Sequence, residues 1–239
     1  MSSFVLVHGG SHAAWCWEDM VGHLNRPALA VDLPGRGADP RQLRRLTAGD
    51  FVDAVTGEIE RADLRDVVLV GHSLAGVVVP AVCARIPERI AALVLMAAAV
   101  APPGGRIVDL LPAPVRILSL IQHRFGVRSP ALPRALARRA FCNDMSPEQA
   151  RRTLDRLVPE AVQLVVEPVP RPALPPRLPV IYIRFTRDRI ITPDRASVMI
   201  ENLGGAEVVD LDAGHDGMIS RPELVAAALN AVSRERSGS

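Results

Sequence analysis

The stretch from Asp66 to Val78 constrains the fold of this chain more than any other. It reads DVVLVGHSLAGVV, in which four consecutive apolar residues predict a short strand buried on both faces. A glycine and a serine follow, and then an apolar run long enough for a buried helix. In a tight strand–turn–helix of this kind the serine hydroxyl is lifted above the sheet, where it can act as a nucleophile. We therefore take Ser73 as a candidate nucleophile, with a helix N-cap as the alternative role.

This stretch meets the pattern G-x-S-x-G with one departure. Ala75 stands where the second glycine is usual, and Gly76 follows one place later. Alanine keeps the position small, so the tight turn remains possible. The first backbone N–H groups of the following helix, that of Leu74 above all, would then face the same space as the hydroxyl and stabilise an oxyanion there.

Strand-like segments recur along the chain, each followed by a helical pattern. The apolar fraction is 49% and the aromatic fraction only 3%, so the core consists mainly of Ala, Val, Leu and Ile. These features predict an α/β fold with a mainly parallel, doubly wound sheet of about six strands and helices on both faces. The expected strands are Phe4–Val7, Ala28–Val31, Val67–Val70, Ala92–Met96, Leu178–Arg184 and Glu207–Leu211.

Residues 101–179 differ in composition from the rest of the chain. They hold 14 of the 21 prolines, and no part of them reads as a strand. Amphipathic helices are expected at Val115–Phe125, Ala131–Phe141 and Pro147–Leu157. We predict one domain, with a sheet core at 1–100 and 180–239 and a helical lid inserted at 101–179.

Arginines are numerous in this insertion. Ten arginines stand against four acidic residues between Arg106 and Arg156. Most simply they form solvated outer helix faces. The alternative is a basic rim that attracts a carboxylate, a phosphate or an acidic carrier protein.

Composition excludes several classes of function. A net charge of +2 is too small to indicate nucleic-acid binding, and the absence of lysine excludes Schiff-base chemistry on lysine. Three widely spaced cysteines favour free thiols in a reducing cytoplasm. The opening residues predict no signal peptide, and no apolar run is long enough for a membrane span. Residues 236–239 are expected to be a disordered tail.

A glycine-containing loop, HGGSH, follows the first strand. Ligands bind at the carboxyl ends of strands in open parallel sheets, so we expect the amide of Gly10 to be a second oxyanion donor. Gly9 and His12 of the same loop are expected to contact the substrate. His8 and His12 lie four residues apart without a carboxylate between them, so no metal site is expected.

Three polar residues follow three different strands, in the order Ser73, Asp188 and His215. This is the order of nucleophile, acid and base in α/β-hydrolases. A serine hydroxyl needs an imidazole to accept its proton, and an aspartate holds that imidazole in the required tautomer. The other candidate acids fit less well, because Asp194 lies in the next helix and Asp212 and Asp216 lie too close to His215 in sequence. His72 is expected to pack within the turn. The three candidate catalytic residues are therefore Ser73, His215 and Asp188.

Several motifs together resemble the plant methylesterase and hydroxynitrile lyase branch of the α/β-hydrolases. They are FVLVHGGSHAAWCW, DLPGRGAD, VVLVGHSLAG and LDAGHDGM, which span the sheet framework but hardly the insertion. In that branch, ester-cleaving members have glycine where this chain has Gly9. Lyase members have threonine there and a lysine where this chain has Asp216. The resemblance therefore implies an esterase rather than a lyase.

The sequence thus predicts a serine hydrolase that cleaves a small-molecule carboxylic ester through an acyl-enzyme on Ser73, without a cofactor. A thioesterase or acyltransferase acting on a carrier-bound acyl group would use the same residues. A cofactor-free lyase or cyclase would use the oxyanion hole without acylation of the serine. A small-ligand receptor would bind with negligible turnover. Monomer and homodimer both fit the sequence.

Overall fold

The computed structural model describes residues 3–36, 43, 45–125, 133–169 and 172–235. Within these residues six strands form a single sheet, and every neighbouring pair is parallel. The strands are β1 (Ser3–Val7), β2 (Ala28–Val31), β3 (Val67–His72), β4 (Ile90–Met96), β5 (Val180–Phe185) and β6 (Glu207–Leu211). The six predicted strands and the parallel sheet are confirmed.

Helices occupy the connections between the strands and follow the last one. They are α1 (Glu18–Val21), α2 (Ala48–Arg61), α3 (Val79–Arg85), α4 (Ala113–Arg124), α5 (Arg134–Phe141), α6 (Pro147–Arg156), α7 (Gln163–Val166), α8 (Pro193–Leu203), α9 (Gly217–Ser220) and α10 (Pro222–Glu235). Short 3₁₀ turns lie at Ala14–Trp17, Ser73–Val77, Pro87–Arg89 and Ile107–Leu110.

Local sequence signals set the start of several helices. Thr47 precedes α2, and its hydroxyl accepts a hydrogen bond from the backbone N–H of Asp50, whose carboxylate accepts one from the N–H of Thr47. Ser146 and Gln149 make the same reciprocal contacts at the start of α6. Each capping box satisfies two backbone donors that the first turn would otherwise leave without partners.

The sheet buries both of its faces. Side chains alternate along β1, so that Val5 and Val7 join the core cluster containing α2, α3 and α8. Phe4 and Leu6 point to the opposite face, into the cluster that contains Trp17 and α10. This burial on both faces explains why β1, β3 and β4 contain continuous apolar runs, whereas the edge strand β6 is mostly exposed.

The strand order is β2-β1-β3-β4-β5-β6. The chain leaves β1 for β2 on one side and returns to β3 on the other, so the order reverses between β1 and β3. Loops at the carboxyl ends of two such strands diverge and leave a crevice in which ligands bind in open α/β sheets. Here those loops carry Gly9 and Gly10 after β1 and Ser73 after β3.

The segment between β4 and β5 contains helices α4 to α7. Among its described residues, 101–125, 133–169 and 172–179, none forms a strand, as the sequence predicts. The first and third predicted helices correspond to α4 and α6, and the second corresponds to α5, although residues 131 and 132 lie outside the described residues. The one-turn helix α7 was not predicted.

Within the part of the chain that the structure describes, no helix combines the length and the apolar character needed to cross a membrane. The three cysteines are free thiols, as predicted, and all are buried: Cys16, Cys83 and Cys142. The tail at 236–239, expected to be disordered, lies outside the described residues.

Candidate active site

Ser73 stands at a sharp turn between β3 and a 3₁₀ turn. Its backbone φ is 51°, a left-handed conformation that is costly for a residue with a side chain. Small neighbours make the turn possible, since a Cβ on Gly76 would lie 2.4 Å from the carbonyl oxygen of Ala99. Ala75 is buried and fits, so the glycine required by packing is Gly76 rather than the residue before it.

The structure brings the three candidate catalytic residues together. His215 Nε2 lies 2.9 Å from Ser73 Oγ, and His215 Nδ1 lies 2.7 Å from Asp188 Oδ2. Because a carboxylate only accepts hydrogen bonds, Nδ1 carries the proton and Nε2 is free to accept the proton of the serine hydroxyl. The side chains of His215 and Asp188 are fully buried.

Asp188 is fixed in place by its own turn after β5. Its second oxygen, Oδ1, accepts hydrogen bonds from the backbone N–H groups of Ile190 at 2.7 Å and Ile191 at 3.0 Å. Burial alone lowers the pKa of His215, but the charge and hydrogen bond of Asp188, together with the charge of Asp216, raise it above its usual value. The arrangement therefore favours an imidazolium during a reaction.

The other aspartates occupy different environments. Asp212 is exposed and pairs with Arg187 at 2.7 Å, while Asp194 is exposed in the first turn of α8. Asp216 is buried, but it bonds His12 rather than His215. Of the aspartates weighed in the sequence, only Asp188 reaches the imidazole of His215.

The loop after β1 lies directly against the serine. A Cβ on Gly9 would lie 2.7 Å from Ser73 Cβ, and a Cβ on Gly10 would lie 3.3 Å from Leu74 Cδ2. Only a glycine at position 9 lets the loop approach the serine this closely. The loop therefore lies against Ser73 at Gly9 and against the Leu74 side chain at Gly10. The oxyanion site formed by the amides of Gly10 and Leu74 stays a prediction.

Two histidines hold the carbonyl groups of this loop. His8 Nδ1 donates to the carbonyl oxygen of Gly9 at 2.9 Å, while His8 Nε2 accepts from the N–H of Leu33 at 3.1 Å. Burial, with Arg36 nearby, lowers the pKa of His8 well below its usual value, in agreement with a neutral ring. His12 Nδ1 donates to the carbonyl oxygen of Gly10 at 2.8 Å.

His12 is buried, and its second ring nitrogen, Nε2, lies 3.0 Å from Asp216 Oδ2. Both ring nitrogens are thus bound to protein groups, which leaves only ring carbons for contact with a substrate. The expected substrate contacts of His12 and Gly9 stay predictions.

His72 packs within the turn, as the sequence suggests. Its Nε2 donates to the carbonyl oxygen of His215 at 2.9 Å. Burial, and next the neighbouring His215, lower the pKa of His72 to about 3, so the ring stays neutral. Among the described residues, ligand atoms of His72, His215 and Asp216 lie within 4.8 Å of one another. Both nitrogens of His215 already bind Ser73 and Asp188, so this cluster is not an open metal site.

Sequence reasoning missed two contributions from the insertion. The first is Glu160, whose Oε2 accepts from the N–H of Ser11 at 2.9 Å and from Arg36 Nη2 at 2.7 Å. The side chains of Arg36 and Glu160 are 4% and 9% exposed, so the ion pair is buried. Glu160 thereby fixes Ser11, whose φ is 61°, immediately after Gly10. No local sequence pattern links residues so far apart.

The second contribution comes from the turn after α5. Asn143 Nδ2 donates to the carbonyl oxygen of Arg187 at 3.0 Å, and Asp144 Oδ2 accepts from the N–H of Gly214 at 2.8 Å. Arg187 and Gly214 directly precede Asp188 and His215. A Cβ on Gly214 would lie 2.4 Å from Asp144 Oδ1, which explains the glycine before the histidine.

Phe141, at the end of α5, brings the insertion over the histidines. Its ring centroid lies 5.1 Å from that of His12 and 5.8 Å from that of His215. Close by along the loop, a cavity of about 340 Å³ separates Ser11 from helices α5 and α6. Its lining residues are Ser11, Pro133, Arg134, Ala137, Leu154, Leu157 and Val158.

Comparison with known proteins agrees with this geometry. The sequence model of the alpha/beta hydrolase family matches residues 4–228. Methylesterase 18 of Arabidopsis thaliana is 27% identical over 245 residues, which cover 92% of each chain. A carbendazim hydrolyzing esterase from a Nocardioides species is 35% identical over 116 residues, 47% of this chain and 48% of that protein.

Among solved structures, an extracellular alpha/beta-hydrolase from a Paenibacillus species superposes with a TM-score of 0.84. It is 24% identical, and the superposition covers 96% of this chain and 98% of that one, which establishes the likeness of fold. The resemblance to methylesterases expected from the motifs is confirmed. By the family match, the fold and the strand order, the chain belongs to the alpha/beta hydrolase family.

Proposed function

We propose that this protein hydrolyses small-molecule carboxylic esters through an acyl-enzyme on Ser73. The observation that carries the proposal is the unbroken hydrogen-bonded series from Ser73 through His215 to Asp188 at the carboxyl ends of β3, β6 and β5. The esterase names of several relatives support the same reaction class. No metal or organic cofactor is required for this chemistry.

In acylation, Ser73 Oγ attacks the ester carbonyl carbon while His215 Nε2 accepts the hydroxyl proton. Asp188 stabilises the imidazolium that forms, and the amides of Gly10 and Leu74 donate hydrogen bonds to the oxyanion. Collapse of the tetrahedral intermediate breaks the bond to the alcohol oxygen. His215 returns its proton to that oxygen, so the alcohol leaves neutral.

Deacylation repeats these steps with water. His215 Nε2 accepts a proton from water as its oxygen attacks the acyl carbon, and the same two amides hold the second oxyanion. The bond to Ser73 Oγ then breaks, and His215 returns the proton to the serine. The net reaction consumes one ester and one water and yields one carboxylic acid and one alcohol.

We further propose that residues 101–179 act as the cover of this site. Phe141 contacts the ring of His215, and Glu160 contacts the loop that carries Gly10, so the insertion lies against both. We assign the cavity beside Ser11 to an apolar group of the ester. Its size of about 340 Å³ and the side chains of Leu154 and Leu157 suit a small apolar group.

A free small molecule is favoured over an acidic carrier protein as the substrate. Four of the ten arginines considered for a basic rim already have acidic partners: Arg106 pairs with Asp109, Arg134 with Asp155, Arg152 with Asp19 and Arg156 with Glu18. Their charge is therefore largely neutralised where a carrier would dock. The buried thiols support the cytoplasmic location proposed from the cysteine pattern.

The test combines a serine-directed fluorophosphonate with an ester assay. We expect intact mass to show one adduct on the wild-type protein, p-nitrophenyl acetate to be hydrolysed, and Ser73→Ala to lose both properties. Ser197→Ala, which changes an exposed serine of α8, serves as the matched control and should keep both. A folded wild-type protein with neither labelling nor turnover would refute the proposal and favour a ligand receptor.

A further inference from the structure

A second histidine–aspartate pair, outside the Ser73–His215–Asp188 series, lies buried beneath the site. His12 belongs to the loop after β1, and Asp216 directly follows His215. His12 Nε2 lies 3.0 Å from Asp216 Oδ2, and the two side chains are 1% and 0% exposed. Neither side chain transfers a proton in the acyl-enzyme mechanism described above, although the charge of Asp216 helps to raise the pKa of His215.

The hydrogen-bond partners of His12 define its protons. The carbonyl oxygen of Gly10, 2.8 Å from Nδ1, can only accept a hydrogen bond. An ionised Asp216 carboxylate, 3.0 Å from Nε2, can also only accept. A neutral imidazole has one N–H and would leave one of these contacts without a hydrogen. The pair therefore needs one proton more than a neutral histidine beside a carboxylate.

The surroundings of Asp216 favour its ionised form. Burial alone raises the pKa of Asp216, but the charge and hydrogen bond of His12, with His215 and His72 nearby, lower it below the usual value. The thiols of Cys16 and Cys142 also lie near this carboxylate. Burial, with Asp216 nearby, raises the pKa of both thiols, so they stay neutral.

Among the residues that the structure describes, His12 is the one hydrogen-bond partner of the Asp216 carboxylate. Among the described residues, its other oxygen, Oδ1, has no hydrogen-bond partner. His72 Nε2 lies 3.9 Å from that oxygen and donates instead to the carbonyl oxygen of His215. The charge of a fully buried carboxylate is costly unless it is paired, and His12 supplies the pairing proton.

We propose that His12 and Asp216 form a buried imidazolium–carboxylate pair that positions the oxyanion loop relative to the catalytic histidine. The pair spans the two loops, because His12 holds the carbonyl group of Gly10 and Asp216 is covalently joined to His215. His12 and Asp216 are thus positioning residues rather than catalytic ones. This role rests on the proposed esterase function, but the protonation of the pair does not.

The first test is nuclear magnetic resonance of the wild-type protein with ¹⁵N-labelled histidine. Loss of signals in His12→Gln assigns His12 among the six histidines. At neutral pH we expect two protonated ring nitrogens for His12 and only one for His8, which serves as the internal reference. A bare Nε2 on His12 at neutral pH would overturn the pair as proposed. This result is independent of whether the protein is an esterase.

The second test compares two substitutions at Asp216. In Asp216→Asn, the side-chain amide can donate to a bare Nε2 of a neutral His12, so the link to Gly10 survives without charge. In Asp216→Leu the link is lost. Displacement of a group at the site by about 1 Å costs roughly 100-fold in rate. We therefore expect Asp216→Leu to lower kcat ten- to 100-fold with little change in KM, and Asp216→Asn to recover most of that loss.

The double variant His12→Leu/Asp216→Leu should be no slower than Asp216→Leu, because two residues that act through one contact are not additive. Wild-type kcat in a folded Asp216→Leu protein would overturn the positioning role. Full additivity of the two substitutions would do the same. If Asp216→Leu does not fold, kcat of Asp216→Asn is compared with kcat of His12→Leu. Equal values in these two variants would overturn the positioning role, because Asp216→Asn keeps the hydrogen bond to His12 and His12→Leu does not.

Discussion

The carboxylate oxygen Oδ2 of Asp144 accepts a hydrogen bond from the backbone N–H of Gly214 at 2.8 Å. The same oxygen accepts from the hydroxyl of Ser220 at 2.8 Å. One aspartate of the insertion thus ties the loop carrying His215 to the start of the C-terminal helices. The position of the imidazole therefore depends on a residue 71 positions away in sequence (215 minus 144).

Asp144→Ala tests this dependence. The substitution leaves the Gly214 N–H without its acceptor and frees the loop before His215. Asp144 is half-buried, and loss of hydrogen bonds to such a charged group costs about 1–3 kcal/mol. We expect the free energy of unfolding to fall by that amount in urea titrations and kcat to fall about tenfold.

Asp155→Ala is the matched control for Asp144→Ala. Asp155 also lies in the insertion, but it pairs with Arg134 at the surface, both side chains being more than half exposed. Exposed ion pairs contribute about 0–1 kcal/mol, so this variant should behave like the wild-type protein. Equal effects of the two substitutions would contradict a specific role for Asp144.

Gly9→Ala tests the close approach of the loop to Ser73. The new Cβ would lie 2.7 Å from Ser73 Cβ, so either the loop or the serine must move. We expect kcat/KM for p-nitrophenyl acetate to fall about 100-fold or more. Steady-state kinetics and circular dichroism of the same samples would separate this loss from unfolding.

The adjacent glycine provides the comparison. In Gly10→Ala the Cβ meets the end of the flexible Leu74 side chain at 3.3 Å, and the backbone N–H remains. The rate should therefore fall much less than in Gly9→Ala. A reversed order of the two variants would mean that the loop does not approach Ser73 as described.

The pH dependence of kcat/KM reports on His215. The imidazole must be unprotonated to accept the proton of Ser73, so activity rises as the pH increases through the pKa of His215. Burial alone lowers that pKa, but Asp188 and Asp216 raise it, so the midpoint of the acid limb should lie above the ordinary value of about 6.5. The midpoint is measured from the dependence of kcat/KM on pH.

Asp188→Asn supplies the control for the pH profile. The substitution removes the charge that raises the pKa of His215, so the acid limb of any remaining activity should move to lower pH. The rate itself should fall by about 10⁴, because the amide favours the wrong imidazole tautomer. A wild-type midpoint below the ordinary histidine value would contradict the described electrostatics.

Glu160→Gln tests the buried ion pair behind the oxyanion loop. Glutamine still offers an oxygen to the N–H of Ser11, but it leaves the guanidinium of Arg36 buried without a counter-charge. Breaking a buried pair in this way costs about 3–5 kcal/mol. We expect urea titrations to show that the free energy of unfolding falls by about this amount in Glu160→Gln. The double variant Arg36→Met/Glu160→Gln should recover part of this loss, because it no longer buries an unpaired charge. A Glu160→Gln protein as stable as the wild-type protein would contradict the stabilising role of the Arg36–Glu160 pair.

The sheet and its core were predictable because their causes are local. Runs such as Val67–Val70 can only be buried on both faces, and parallel strands bring their carboxyl ends to one edge. Ser73, Asp188 and His215 each follow a strand of this parallel sheet, so their meeting follows from the topology. Gly9 and Gly10 were recognisable for the same reason.

The supporting contacts were not predictable, because each joins residues far apart in the chain through side-chain geometry. Nothing near Arg36 indicates Glu160 as its partner, and nothing near Asp144 indicates Gly214. His12 was expected at the substrate because it lies in the loop after β1. That contact stays a prediction, but the bonds of its ring nitrogens to Gly10 and Asp216 were not predictable, because they depend on the packing of two loops.

The attachments of the insertion limit how a substrate can enter. A hinged cover would swing away as a unit, but the segment proposed as the cover also bonds to the loops at Gly214, Arg187 and Ser11. Lifting it would break the bonds of Asp144 to Gly214, of Asn143 to Arg187 and of Glu160 to Ser11. Opening of that part of the insertion would therefore remove the contacts that hold the residues next to His215, Asp188 and Gly10. Helix α4 of the same insertion, in which no residue is buried, takes part in none of these three bonds.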